Sequence, residues 1–574
     1  MPRPSTSALL AIVPTALLTA LPLLFATRLL AAQEDTPDPA REPFGETVDV
    51  KVVNVEVHVT DKDGNPVTDL GPEDFEVRED GRPVQITNFY RATSRSSAPP
   101  LAVAQPAPLP GSDLPDTVSP IESPLRPEDR KLRVVVFVDN FYSRPVERNR
   151  NLPALRQFLQ STLGPDDEAM VVSYDRALHV LLPFTTDHPR VYEILFELEK
   201  TATFQNELDD ARRGVLQRID EAESADEALI SVRPYADTVR NDVEHEIEAV
   251  QTIVNDLAGL AGRKILVHVS SGVPMIAAGD LFYAVEEKFD RGPAVNLSMS
   301  YDMSRRFTEL AAQANAHGVV FYTIDVAGLR THRSMSAEER GLDTPMMGVR
   351  VESDRVANRQ SPLRFLARET GGLAILNQNN ILPPLMEVAA GLETYYSLGF
   401  VSGHPGDNRY HSLRVEVARK GVTVRHRNGY RDKSIDVEME ESVRAALVHR
   451  APTNPWGATL GTGRAQPRDN DLFLVPISIE VPMRALELIP TGEYARADLT
   501  FFFAAMDGSA RLSAVTSAPI GVRIPAAQAA AAAGESYILN HQLLMRTGRN
   551  TIAVGIWDHF AADSVVLTHT ITVP

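Results

Sequence analysis

A regular alternation of strand-like and helix-like segments between residues 131 and 430 constrains this chain more than any other feature. The helix-like segments include NRNLPALRQFLQSTL and SRRFTELAAQANAHG. The strand-like runs are RVVVFVD, EAMVVSYD, HVLLPF, KILVHVSSG, GVVFYTID, GLAILN and YYSLGF. Such alternation is typical of a parallel sheet with helices on both faces. We therefore predict an α/β domain with a doubly wound parallel sheet over residues 131–431, ending in added antiparallel strands.

The regions on either side of this domain have β patterns and proline-rich stretches. Apolar residues alternate in VDVKVVNVEVHVTD, and a DGNP turn follows, which predicts a small β-sandwich module over residues 48–92. Residues 93–130 are rich in proline, serine and alanine and predict a linker. Residues 432–470 form a second predicted linker. The runs LFLVPISIEVP and NTIAVGIWDH favour a C-terminal β-sandwich over residues 471–574.

The N-terminal residues have the pattern of a secretory signal. Arg3 supplies a positive charge, residues 8–26 are nearly all apolar, and Ala31 and Ala32 provide small residues for cleavage. The apolar run is also long enough for an uncleaved membrane anchor. We therefore expect residues 1–32 to be a signal peptide or anchor, residues 33–47 to be exposed, and the protein to be exported to the periplasm, cell envelope or medium.

Composition excludes several classes of function. The chain has no cysteine, so disulfides, thiolate metal sites and cysteine nucleophiles are absent. Its formal net charge is −19, which disfavours binding to nucleic acid. No Gly-x-Ser-x-Gly motif or phosphate-binding loop occurs. His404, His411 and His426 lie in one antiparallel region, where two of them can come together or simply occupy a surface strand.

The first predicted strand of the α/β domain ends on a carboxylate, Asp139, with Ser143 four residues later. In an open α/β sheet, ligands bind at the C-terminal ends of the strands. Asp139 and Ser143 can therefore share a ligand at that edge. Alternatively, Asp139 only accepts hydrogen bonds from backbone N–H groups at the start of the next helix.

Several motifs resemble the von Willebrand factor type A (VWFA) family, and specifically the VWFA-related proteins of the Acidobacteria type. They are DKDGNPVTDLGPEDFEVREDG, FVDNFYS, AGRKILVHVSSGVP, FYTIDVAGL, FLARETGGLAILN, ETYYSLGF and VRHRNGYR, in that order. The resemblance covers about residues 48–431. It implies a domain whose upper edge often carries a metal-ion-dependent adhesion site, where Mg²⁺ receives a carboxylate from a partner protein.

The implied site is degenerate in this chain. The family pattern Asp-x-Ser-x-Ser is matched by Asp139 and Ser143, but Phe141 replaces the middle serine, and Ser271 stands where an aspartate is expected. Asp139, Ser143 and Ser271 are thus the candidate ligands of a possible Mg²⁺. The same loop offers Asn140, Phe141, Tyr142 and Arg144 as a partner-binding rim.

These observations favour an exported, noncatalytic protein that binds an unidentified protein partner. One alternative is an exported hydrolase with an unrecognised active site, for example around Ser271 with a distant histidine. Another is an envelope scaffold that self-associates through its C-terminal region.

Overall fold

The structure is a computed structural model, and it describes residues 51–93, 101–102, 131–290, 293–330, 345–449, 453–468 and 472–574. The predicted signal or anchor (1–32), the exposed segment (33–47) and most of the first predicted linker (93–130) lie outside these residues. Within the described residues, none of the helices has the length and apolar character needed to span a membrane.

Five strands precede the α/β domain: β1 Val52–Thr60, β2 Phe75–Glu79, β3 Arg82–Val84, β4 Ile86–Thr93 and β5 Leu101–Ala102. The short β5 pairs with β4, so part of the segment predicted to be a linker is a strand. The inward residues of β1 alternate along the strand as the sequence pattern predicts, and Val53, Val55 and Val57 are buried.

The central sheet has six strands: β6 Leu132–Asp139, β7 Glu168–Tyr174, β8 Leu178–Thr185, β9 Arg263–Ser270, β10 Val319–Asp325 and β11 Ala374–Ile375. Their order in the sheet is β11-β10-β9-β6-β7-β8. The prediction of parallel strands is confirmed for five of them, but β8 pairs antiparallel with β7. The sheet is therefore mixed, because a short turn between β7 and β8 leaves no room for a crossover helix.

Helices cover both faces of this sheet: α1 Pro145–Thr162, α2 His188–Glu197, α3 Gln205–Glu221, α4 Ala225–Asp256, α5 Gly279–Phe289, α6 Pro293–Ser298, α7 Ser304–Ala316, α8 Pro345–Thr370 and α9 Leu382–Glu393. Strand β6 shows why helices must cover both faces of the sheet. Val134, Val136 and Val138 join one hydrophobic cluster with α1, α2 and α9, whereas Val135 and Phe137 join another with α4 and α7. A strand buried on both faces reads as a continuous apolar run.

The strands that follow α9 do not extend the central sheet: β12 Thr394–Val401, β13 Tyr410–Val417, β14 Thr423–Arg425 and β15 Gly429–Arg431. Instead, β12 lies between β1 and β4, and β13 pairs with β2. The two resulting sheets share one hydrophobic core. The described part of the predicted module 48–92 is therefore not a module of its own, because β1, β2 and β4 bury their apolar faces together with strands from residues 394–431.

The C-terminal region begins with a helix, α10 Ile435–Val448, inside the segment that we predicted to be a linker. Nine strands follow: β16 Thr459–Thr462, β17 Gln466–Pro467, β18 Leu472–Pro482, β19 Ile489–Thr491, β20 Tyr494–Asp507, β21 Thr516–Pro525, β22 Ser536–Arg546, β23 Gly548–Asp558 and β24 Asp563–Val573, with the short helix α11 Ala529–Ala532. They form two sheets around a common core. The linker prediction missed α10 because its apolar residues, including Met439 and Val443, become buried only against β20 and β23.

Candidate functional site

Asp139 ends strand β6 at the C-terminal edge of the central sheet and is completely buried. Its Oδ1 accepts hydrogen bonds from the backbone N–H groups of Phe141 at 2.8 Å and Tyr142 at 2.9 Å. The hydroxyl of Ser270, at the end of β9, donates to Oδ2 at 2.5 Å. Burial and the nearby Glu246 carboxylate raise the pKa of Asp139 to about 7, although these hydrogen bonds oppose the shift. Asp139 thus holds the loop in place.

The three candidate metal ligands do not form a set of oxygens that suits Mg²⁺. Ser143 Oγ is buried and has no hydrogen-bond partner among the described residues. Ser271 Oγ donates to Glu147 Oε2 at 3.0 Å, while both oxygens of Asp139 are already hydrogen-bonded. The guanidinium of Arg330 donates to the Ser271 carbonyl at 2.8 Å. Mg²⁺ requires roughly six oxygen ligands in octahedral geometry, so these residues do not fit it.

The structure buries most of the loop that we expected to form a partner-binding rim. Asn140, Phe141 and Tyr142 are 1%, 1% and 5% exposed. The phenyl ring of Phe141 packs against the Tyr142 ring with centroids 4.8 Å apart, and Asn140 Oδ1 accepts a hydrogen bond from Arg148 at 2.6 Å. These three residues cannot contact a partner directly, because their side chains complete the hydrophobic and polar interior. Arg144 alone of the four lies partly exposed.

A buried acidic residue that sequence reasoning missed lies behind this loop. Glu246 on α4 is buried, and neither of its carboxyl oxygens has a hydrogen-bond partner among the described residues. His268 Nε2 on β9 lies 3.3 Å from Glu246 Oε1. Burial raises the pKa of Glu246 to about 8 and lowers the pKa of His268 to about 4. The helical spacing of Glu246 from the buried Val243 and Val250 was the available signal.

Two of the three histidines that the sequence placed in one antiparallel region, His404 and His411, come together in the structure. The rings of His404 and His411 stack with centroids 3.7 Å apart. One ligand atom from each, and one from Glu79, lie within 4.8 Å of one another. However, His411 Nδ1 lies 2.8 Å from Asp80, and its Nε2 lies 3.2 Å from Asp407. Burial lowers the pKa of His411, but the two carboxylates outweigh burial and raise it, and both ring nitrogens are engaged by these carboxylates rather than left for a metal ion.

A cleft of about 450 Å³ opens at the same edge of the sheet as Asp139, beside the loop after β9. Ser271 reaches it from β9, Leu329 from the segment after β10, and helix α8 forms one wall. Its charged lining consists of Arg144, Arg330, Arg355, Arg359, Arg364, Glu147 and Glu352. Of the residues that line the cleft, the sequence had singled out only Arg144 and Ser271. The four-residue spacing of Arg355 and Arg359 indicates that they lie on one face of a helix. The sequence does not indicate which part of the molecule that face meets.

Comparisons with known proteins give limited similarity. The sequence matches no family model and no curated protein. Among solved structures, it is similar to a von Willebrand factor type A protein from Catenulispora acidiphila, with a sequence identity of 8% and a TM-score of 0.21. That similarity covers 85% of this chain and 74% of that chain. It is also similar to manganese-loaded TRAP protein from Plasmodium vivax, with 10% identity, 52% and 94% covered, and a TM-score of 0.22.

A third similar structure is an aerotolerance-related membrane protein from Bacteroides fragilis, with 12% identity, 46% of this chain and 98% of that chain covered, and a TM-score of 0.22.

Proposed function

We propose that this chain is an exported, noncatalytic protein that binds a protein partner through a von Willebrand factor A-like domain. The cleft at the C-terminal edge of the central sheet is the observation that carries this proposal. In open α/β sheets, this edge is where ligands bind, because loops from several strands meet there. The motif resemblance of residues 48–431 supports the same function.

The binding surface in this proposal is the cleft and its margin rather than the buried loop 140–142. Leu329 lines the cleft and is 60% exposed, so a partner can pack on an apolar side chain beside the charged lining. Arg144 and Glu147 form part of the opposite wall. Binding at this place does not depend on a metal ion, since the candidate ligands do not fit one.

Noncatalytic action is supported by the surroundings of Ser271. Its hydroxyl donates to the Glu147 carboxylate, and no histidine is hydrogen-bonded to it in the described part of the chain, so the serine–histidine pair of the hydrolase alternative has no support there. A fluorophosphonate probe should therefore leave the folded protein unlabelled. Labelling that disappears in Ser271→Ala would instead establish the hydrolase alternative.

Site-specific photo-cross-linking tests the binding surface. Leu329 is replaced by p-benzoylphenylalanine in the full chain, and the protein is irradiated in cells that produce it. The matched control carries the same amino acid at Ile538, which is 56% exposed on β22. We expect a discrete cross-linked species from position 329 and none of the same mass from position 538. Identical products from both positions, or none from 329, would contradict the proposal.

Export is a separate part of the proposal and rests on the signal-like pattern of residues 1–32. Fractionation of cells that produce the chain with a C-terminal tag should place it in the envelope, periplasm or medium. Recovery only with cytoplasmic marker proteins would contradict export and leave the binding test unaffected.

A further inference from the structure

Arginine dominates the charged lining of the cleft. Five arginines, Arg144, Arg330, Arg355, Arg359 and Arg364, line it together with two glutamates. The whole chain has a formal net charge of −19, so this local excess of positive charge opposes the charge of the protein as a whole. The acidic protein as a whole therefore attracts basic partners at long range, whereas the cleft itself favours an anionic group.

Two of the five arginines already share a carboxylate inside the protein. Arg355 donates to Asp209 Oδ1 at 2.7 Å, and Arg144 forms an ion pair with the other oxygen of the same side chain. Burial raises the pKa of Asp209, but the charges of Arg355, Arg144 and Arg359 outweigh burial and hold this pKa well below its usual range. The charge of Arg355 and Arg144 is thus partly neutralised within the fold.

Arg359 has no carboxylate among its hydrogen-bond acceptors in the described part of the chain. Its Nε donates to the Gly272 carbonyl at 2.9 Å, and its Nη2 donates to the Tyr142 carbonyl and to Gln205 Oε1, each at 3.0 Å. All three acceptors are neutral. Burial and the neighbouring charges of Arg355 and Arg330 lower the pKa of Arg359 to about 10. The group stays charged at neutral pH, and it lies buried near other cations without an anion hydrogen-bonded to it.

Arg364 and Arg330 also retain hydrogen-bonding capacity toward the cleft. Arg364 is exposed and donates to Gln360 Oε1 at 3.0 Å, a neutral acceptor. Arg330 uses Nη2 for the Ser271 carbonyl and for Asp325, and its side chain, which lines the cleft, is 20% exposed. A guanidinium carries five N–H donors, so contacts through one nitrogen leave others for an acceptor in the cleft.

We infer that the cleft receives a carboxylate side chain, aspartate or glutamate, from the partner protein and holds it by guanidinium hydrogen bonds without a metal ion. This inference rests on the proposed binding function and names the chemistry of the partner. Arginine presents planar pairs of N–H donors that match the two oxygens of a carboxylate. Arg364 and Arg330 supply donors, and Arg359 adds a buried positive charge that no carboxylate is hydrogen-bonded to in the described part of the chain.

The lining also discriminates between anions. Glu147 and Glu352 face the same cleft, so a second negative charge on the ligand is repelled. A phosphate dianion meets this repulsion more strongly than a carboxylate does. An extended polyanion such as nucleic acid is further opposed by the net charge of −19 on the chain.

Fluorescence anisotropy with a short fluorescein-labelled glycine peptide that contains a single glutamate, in buffer with EDTA, tests the inference on the full chain. A matched peptide with glutamine in place of that glutamate is the ligand control. We expect saturable binding of the glutamate peptide only. Arg364→Gln and Arg330→Gln should each weaken it by about tenfold, the loss typical of one charge-assisted hydrogen bond. Arg368→Gln is the protein control, because Arg368 lies on the same helix, is exposed and does not line the cleft.

Each outcome is decisive. Glutamate-peptide binding that Arg364→Gln and Arg330→Gln leave unchanged would overturn the inference, even if the cross-link from position 329 stands. Equal binding of the glutamine peptide would do so too. Displacement of the peptide by inorganic phosphate more readily than by acetate would overturn the choice of carboxylate. Arg364 is exposed, so its variant remains informative should Arg330→Gln fail to fold. Loss of the cross-link with peptide binding retained would contradict the proposed function alone.

Discussion

Ser270 and Asp139 join the C-terminal ends of two neighbouring parallel strands, with the Ser270 hydroxyl 2.5 Å from Asp139 Oδ2. This contact completes the hydrogen bonding of a fully buried carboxyl group. Ser270→Ala removes the donor and leaves a buried acceptor unsatisfied. We expect the free energy of unfolding in urea to fall by about 1–3 kcal/mol.

The adjacent serine is the control for that experiment. Ser271 Oγ contacts the partly buried Glu147, which also has water and Arg144 available. Ser271→Ala should therefore cost less than Ser270→Ala. Equal losses for the two variants would show that the Ser270 hydroxyl does not support Asp139 in the way described.

Removal of divalent metal should leave the protein unchanged. Both oxygens of Asp139 are hydrogen-bonded within the loop and to Ser270, and Ser271 Oγ is directed to Glu147. We expect the melting temperature to be the same in EDTA and in excess MgCl2, as measured by differential scanning calorimetry. A rise in melting temperature with Mg²⁺ that Asp139→Asn abolishes would instead establish a functional metal site.

The buried Glu246 predicts a specific dependence of stability on pH. Its folded pKa of about 8 exceeds the ordinary value of 4.5, so the folded protein binds the extra proton between these two values. The contribution of Glu246 to the free energy of unfolding is therefore lost as pH rises through this interval, by at most about 1.4 kcal/mol per pH unit. Glu246→Gln should raise the free energy of unfolding above pH 8 relative to the native protein, with little gain below pH 4.5.

Glu248→Gln is the matched control, because Glu248 lies on the same helix with an exposed side chain. Its unfolding free energy should follow the native pH profile. A pH profile of Glu246→Gln that coincides with that of the native protein would contradict the raised pKa.

Tyr396 connects the N-terminal strands to the strands that follow the α/β domain. Its hydroxyl accepts from the Leu70 N–H at 3.1 Å and donates to the Val67 carbonyl at 2.9 Å. Tyr396→Phe should lower the unfolding free energy by about 1–3 kcal/mol, because Leu70 N–H loses its acceptor in a buried place. Tyr395→Phe, whose ring stays beneath the Arg263 guanidinium, should change it less. The reverse order in urea denaturation would contradict this arrangement.

The sequence determined the elements whose burial is set by local pattern. The run Val134–Val138 is apolar without alternation, which predicts a strand covered on both faces, and the structure places it at the centre of the sheet. The position of Asp139 at the C-terminal edge, and its hydrogen bonds from the following N–H groups, were likewise foreseeable because they involve residues close in the chain.

Only the tertiary structure decided which distant segments meet. The alternation in residues 52–60 predicts a strand but not its partner β12, and the Tyr396 contact with Leu70 spans 326 residues. Likewise, the sequence predicted Phe141 on the partner-binding rim, but it lies in the interior because Tyr142 and Phe204 pack on it. The arginines of the cleft come from separate segments for the same reason. Periodicity records which face of an element is apolar, whereas the match between faces depends on shape and charge that no local pattern contains.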